Sequence, residues 1–178
     1  MKALKTLHKY STHPALIYHV MAVAAALRRF AKLAGENEEY WESIGILHGL
    51  VYEKFYDTRR YKCREIFERE GFDEREVHAF NAHGYGIYTD VEPNCYMEYA
   101  LCAVDQLTGF IASCARASPK RKLEYIDVAA VKRMMDNKDF ASGTKRIMQM
   151  CAKMGKDPDW VVQETLTAMQ NIAEDLGL

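Results

Sequence analysis

Four side chains able to bind a divalent cation lie far apart along this chain: His19, His48, His83 and Asp105. Imidazole nitrogens and a carboxylate are the donors that hold Zn, Fe or Mn ions, and residues from separate helices of a bundle can converge on one ion. A lone histidine on an apolar helix face is also an ordinary core or boundary residue, so residue type and spacing alone leave both readings open. No stretch matches a phosphate-cradling P-loop, a glycine-rich dinucleotide turn, a Ser-His-Asp arrangement or a helix-turn-helix reader.

The elements that must position these residues read as helices. From Pro14 to about Leu33, apolar residues recur at steps of three and four, and Gly35-Glu-Asn supplies a turn; His19 falls mid-helix. A second helix opens at the acidic pair Glu38-Glu39, carries Trp41, Ile44, Leu47 and His48 along one side, and is expected to end near Val51. A third spans about Thr58 to Glu70 and stops at Gly71. Asp73 has N-cap chemistry for a fourth, which ends at His83. A long helix from about Cys95 to Ala115 places Asp105 at its middle. Further helices are expected over 127–137, 138–153 and 157–176, the last with Asp157 as cap and Pro158 in the first turn. Strand-type alternation is absent, so the predicted fold is an all-α bundle.

The 178 residues, 49% of them hydrophobic, suit one compact domain. A net charge of −1 gives no global attraction to nucleic acid or to an anionic membrane. The apolar runs are too short for a bilayer span of about 20 residues. Five scattered cysteines with no Cys-x-x-Cys pair and no signal peptide suggest reduced thiols and a cytoplasmic location. Lys120-Arg-Lys122 reads as a charged loop, the methionines as adaptable core filler, and Cys102 as a packing thiol. Trp160, Val161 and Met169 on the last helix are the residues expected at any self-association surface of a homo-oligomer.

Four blocks carry a family resemblance: Leu16-Ile-Tyr-His-Val-Met-Ala-Val-Ala-Ala-Ala-Leu-Arg28, Gly45-Ile-Leu-His-Gly-Leu50, Val77-His-Ala-Phe-Asn-Ala-His-Gly-Tyr85 and Ala100-Leu-Cys-Ala-Val-Asp-Gln-Leu-Thr-Gly109. In this order they resemble the metal-site segments of small HD-domain phosphohydrolases, and Lys138-Asp-Phe-Ala-Ser-Gly143 is similar to a later segment of the same subgroup. The resemblance implies a compact HD-type helical bundle over 1–178, with a metal-site core at about 14–115 and C-terminal helices at about 123–176. It places His19, His48 and Asp105 on metal-ligand positions and His83 close to the metals. The activity it implies is metal-dependent hydrolysis of a nucleotide or small phosphomonoester.

Departures from the family pattern cluster on that site. Gly49 stands where the family has the Asp of its His-Asp doublet, Val51 replaces the first acid of an Asp-Tyr-Glu run, Ala24 occupies a position often held by Glu, and Arg59-Arg60 replace a His pair. The missing Asp would help neutralise divalent cations that polarise a phosphate and lower the pKa of a bound water toward ~7. What remains suits one divalent ion (Zn or Fe, with Mn and Mg as further possibilities) better than two, or no ion at all if the site is spent. Glu53 is the one nearby acid that can add a carboxylate. Gly49 reads either as drift at an unused site or as a mark of close packing or of a helix end. The basic run Arg59, Arg60, Lys62 is a solvated helix face, an anchor for a small phosphate-containing ligand, or the source of a guanidinium that pairs with Asp105 in place of a metal. These losses favour a catalytically impaired member that keeps its pocket as a ligand-binding or interaction module, with a mononuclear phosphohydrolase as the alternative.

Overall fold

The computed structural model describes residues 1–178, apart from the side chains of Tyr56, Arg59 and Arg60. The all-α expectation holds: every regular element among the described residues is helical, beside one isolated bridge between Tyr85 and Thr89. Helix α1 (Lys2–Tyr10) was not expected from the sequence. It buries Ala3, Thr6, Leu7 and Tyr10, an i, i+3, i+4, i+7 stripe on an otherwise polar, lysine-rich segment. Helix α2 (Pro14–Ala34) starts with proline in its first turn and ends at Gly35 in the left-handed conformation (φ 71°), a cap that costs other residues strain. In α3 (Glu38–Leu47) the Asn37 side chain caps the Tyr40 amide at 2.9 Å. This helix stops four residues before the expected end, and turns follow from His48.

Helix α4 (Arg59–Arg69) closes at Gly71, also left-handed, and α5 (Glu74–His83) opens on a capping box formed by Asp73 and Glu76. The spine of the molecule is α6 (Tyr96–Ala117). Helices α7 (Val128–Met135), α8 (Ala141–Met154), α9 (Pro158–Gln170) and α10 (Ala173–Leu176) follow, so the last expected helix is broken at Asn171-Ile172. Asp157 caps α9 through its side chain, as its residue type predicts. No helix among the described residues is long and apolar enough to cross a membrane.

Two apolar clusters hold these helices together. The larger joins α2, α6 and α9 through fully buried Leu27, Phe30, Leu101, Leu107, Ile111 and Met169. Burial of each such side chain stabilises the fold by roughly 1.5–3 kcal/mol before entropy is charged against it. Met169 and Val161 are therefore core, and Trp160 packs edge-on against Phe30 at 5.5 Å, so these three do not form the exposed self-association face expected of them. The smaller cluster lies beneath the segment after α3, where Leu50 and Val51 meet Ile66, Phe67 and Phe80. Helices α2 and α3 cross very closely. A Cβ on Gly45 would lie 2.5 Å from Ala24 Cα and 2.9 Å from its backbone nitrogen, so the crossing requires no side chain at 45 and a small one at 24.

Candidate metal centre

Three elements bring three donors to one point. His19 lies in the second turn of α2, His48 caps the C-terminus of α3, and Asp105 is carried by α6. His19 Nε2 is 3.0 Å from Asp105 Oδ1 and 3.2 Å from His48 Nε2, and His48 Nε2 is 3.6 Å from Asp105 Oδ1. Donors bound tetrahedrally to one ion at about 2.0–2.2 Å stand roughly 3.4 Å apart. The three separations bracket that edge, so this donor set fits a single divalent cation, and among the described residues it is the one such grouping of three.

The surrounding hydrogen bonds fix which atoms face inward. His48 is nearly inaccessible, and its Nδ1–H donates to the Gly45 carbonyl at 2.6 Å, which leaves Nε2 with its lone pair toward the site. His19 Nε2–H then serves Asp105 Oδ1 and faces the His48 lone pair. The second oxygen of Asp105 accepts from Gln106 Nε2 at 3.3 Å. Burial pushes the Asp105 carboxyl upward, but the hydrogen bond from His19 and the close approach of the His48 ring outweigh it and hold the group well below the usual carboxylate range. The site therefore keeps a negative charge among basic ring nitrogens, as a cation-binding site requires.

His83 stands at the wall of the same cavity, outside the three-atom grouping. Its Nδ1–H donates to the Phe80 carbonyl, its Nε2 lies 3.1 Å from Tyr88 Oη, and its ring meets that of His48 edge-on at 5.4 Å. Both ring nitrogens are thus engaged by protein. Burial, with His48 and Arg146 nearby, lowers its pKa to about 3, so the ring is neutral across the physiological range. The cavity measures about 440 Å³ and opens from the triad toward Phe110, Ser113 and Phe140.

Comparison with protein-family models, curated proteins and solved structures gives no match for this chain. What the site can do rests on its own geometry.

Local packing accounts for the residues at positions 49, 24 and 51. Gly49 borders the cavity, and a Cβ there would overlap Val20 Cγ1 and touch Leu16 Cδ1, so both the close packing and the helix end expected of it are present. Ala24 faces Gly45 across the α2–α3 crossing. Val51 is fully buried in the smaller apolar cluster. Glu53 points away from the cavity: its carboxylate accepts from the Thr12 and His13 amides at 2.8 and 3.0 Å and ties the post-α3 turn to the start of α2. Lys62 pairs with Glu65 at 2.6 Å on its own helix. The side chains of Arg59 and Arg60, and with them the guanidinium substitution for a metal, lie outside the described residues.

Sequence reasoning missed Arg146. Its Nη1 donates to the Tyr85 carbonyl at 2.7 Å and Nη2 to the His83 carbonyl at 2.6 Å, so α8 secures the end of α5 that carries the His83 wall. It also missed His78, which donates through Nδ1 to buried Glu98 at 2.6 Å. Neither has a local signal, because each partner lies in a different helix or turn. Gln106, beside Asp105 in sequence, was the findable one.

Proposed function

We propose that this protein is an HD-type metal pocket in which His19, His48 and Asp105 hold one divalent cation, and that it binds a small ligand there with the family's phosphohydrolase chemistry impaired. The supporting observation is the convergence of three donor atoms at 3.0–3.6 Å, while Gly49, at the family's second carboxylate position, is packed against Val20. A bound divalent ion supplies a Lewis-acid centre for a ligand oxygen. The chain's own part is to fix the donors: Gly45 sets the His48 tautomer and Gln106 holds the free oxygen of Asp105. A second reading, hydrolysis of a nucleotide or phosphomonoester at one ion, is favoured by the donor set itself, because two histidines and one carboxylate also serve mononuclear hydrolases.

The test is metal analysis of protein purified without chelator, then a phosphatase assay with Mn, Mg, Fe and Zn. About one equivalent of metal, absent from Asp105→Ala and His48→Ala, without turnover, is the expected result. Turnover that disappears in both variants would replace it with the second reading. A wild-type protein that takes up none of the four metals would end both.

A further inference from the structure

The shape of the cavity beyond the triad points to a ligand class. On α6, Asp105, Gln106, Gly109, Phe110 and Ser113 form one stripe along the wall. Eight residues of helix at 1.5 Å rise separate the first from the last, so the trough extends about 12 Å from the donor atoms. Its far end is apolar: Phe110 and Phe140 meet edge-to-face with centroids 5.3 Å apart, and Leu16 lines the cavity from α2. This end is held in place from α8. A Cβ at Gly143 would lie 2.9 Å from Phe110 Cζ and 3.3 Å from Gln106 Oε1, so the bare backbone there seats both residues.

Charge sets the head group. Among the described residues lining the cavity, a divalent ion beside the Asp105 carboxylate leaves one net positive charge, which a single carboxylate neutralises. A phosphomonoester dianion would leave a surplus negative charge in a half-closed, partly apolar site, an arrangement that desolvation penalises. We infer that the trough takes an organic monocarboxylate with an aryl or medium-length apolar body, its head at the His19–His48–Asp105 site and its body along Phe110 and Phe140. This rests on the single-ion reading above.

The experiment uses the full chain loaded with Co, whose visible absorption reports the ion's surroundings, titrated with 4-phenylbutyrate, acetate, inorganic phosphate and adenosine monophosphate. Phenylbutyrate should perturb the spectrum and bind at least about tenfold more tightly than acetate, the discrimination an apolar pocket gives for added carbon. Phe110→Ala should remove that margin while acetate binding stays. Should Phe110→Ala unfold, Ser113→Phe, which fills the far end, should do the same. Equal affinities for phenylbutyrate and acetate in a Co-binding protein would overturn this inference and leave the metal reading intact. Tighter binding of phosphate or adenosine monophosphate would also overturn it, and would implicate the Arg59-Arg60 run if Arg59→Ala/Arg60→Ala abolished it. Failure to bind Co, together with uptake of none of Mn, Mg, Fe and Zn, removes this inference and the metal reading together; failure with Co alone overturns this inference only.

Discussion

Gly49 is where a small perturbation should be most revealing. The Gly49→Ala Cβ would overlap Val20 Cγ1, and Val20 is fully buried in the smaller apolar cluster. Overpacking of this kind costs about 1–3 kcal/mol, and in a domain of this size each kcal/mol lowers Tm by roughly 2–4 °C. Val20→Ala alone removes two buried carbons and costs about 2 kcal/mol. Together the added methyl should occupy the space that Val20 vacates, so the double variant should be more stable than the sum of the two losses by about 1–2 kcal/mol. Urea unfolding of the four proteins measures this, with m-values checked for constancy. Additive losses, or a Gly49→Ala protein as stable as wild type, would show that Gly49 is simply an unused position. Gly45→Ala is the internal comparison: its Cβ would meet Ala24 backbone atoms at 2.5 and 2.9 Å, which cannot rotate away, so its loss should exceed that of Gly49→Ala.

Two further predictions concern neighbouring features. Hydrogen bonds from the His13 and Thr12 amides lower the Glu53 pKa, so its contribution to stability is full above the unfolded-state value of about 4.3 and is lost as pH falls through the lower folded value. Glu53→Gln should therefore be less stable than wild type near neutrality and should converge with it in acid; a constant gap across the range would contradict the assignment. Cys95 is exposed and the other four cysteines are buried. One thiol should react with a disulfide reagent in the native protein ahead of the others, and because partial desolvation of its sulfur and the neighbouring Glu98 carboxylate raise the Cys95 pKa, its rate should climb at alkaline pH. A second fast thiol would show that the packing around Cys63, Cys102, Cys114 or Cys151 is looser than described.

Much of the fold was legible because helix boundaries are written locally. Pro14, Gly35, Gly71, Asp73 and Asp157 act within a turn of their own position, and each starts or ends a helix as its chemistry requires. The helix α1 was missed for the complementary reason. Its mean composition is polar, and its apolar stripe becomes meaningful only with Leu47, Ile66 and Phe67 to cover it. His19, His48 and Asp105 were identified as types from sequence, but their approach depends on the tight α2–α3 crossing, and nothing near Ala24 or Gly45 announces a contact 21 residues away. Arg146 was illegible on the same grounds: its acceptors are backbone carbonyls, which every residue possesses.

The crossing also links positions 20, 24, 45 and 49. Ala24 and Gly45 let the two helices approach, and that approach carries Val20 into the space a side chain at 49 would need. A carboxylate at 49 thus demands a smaller residue at 20, and one at 24 demands a wider crossing, which would also shift His19 relative to His48. Val51 is different in kind. Its side chain packs in the cluster with Leu50, Ile66, Phe67 and Phe80, where an acid would be desolvated without a partner among the described residues. Side chains introduced at these positions are therefore not independent of one another. Positions 24 and 49 are coupled through one helix contact, and Val51 is core. A site with a single carboxylate, Asp105, is what this packing permits, and the same packing holds its three donor atoms at a spacing that suits one ion.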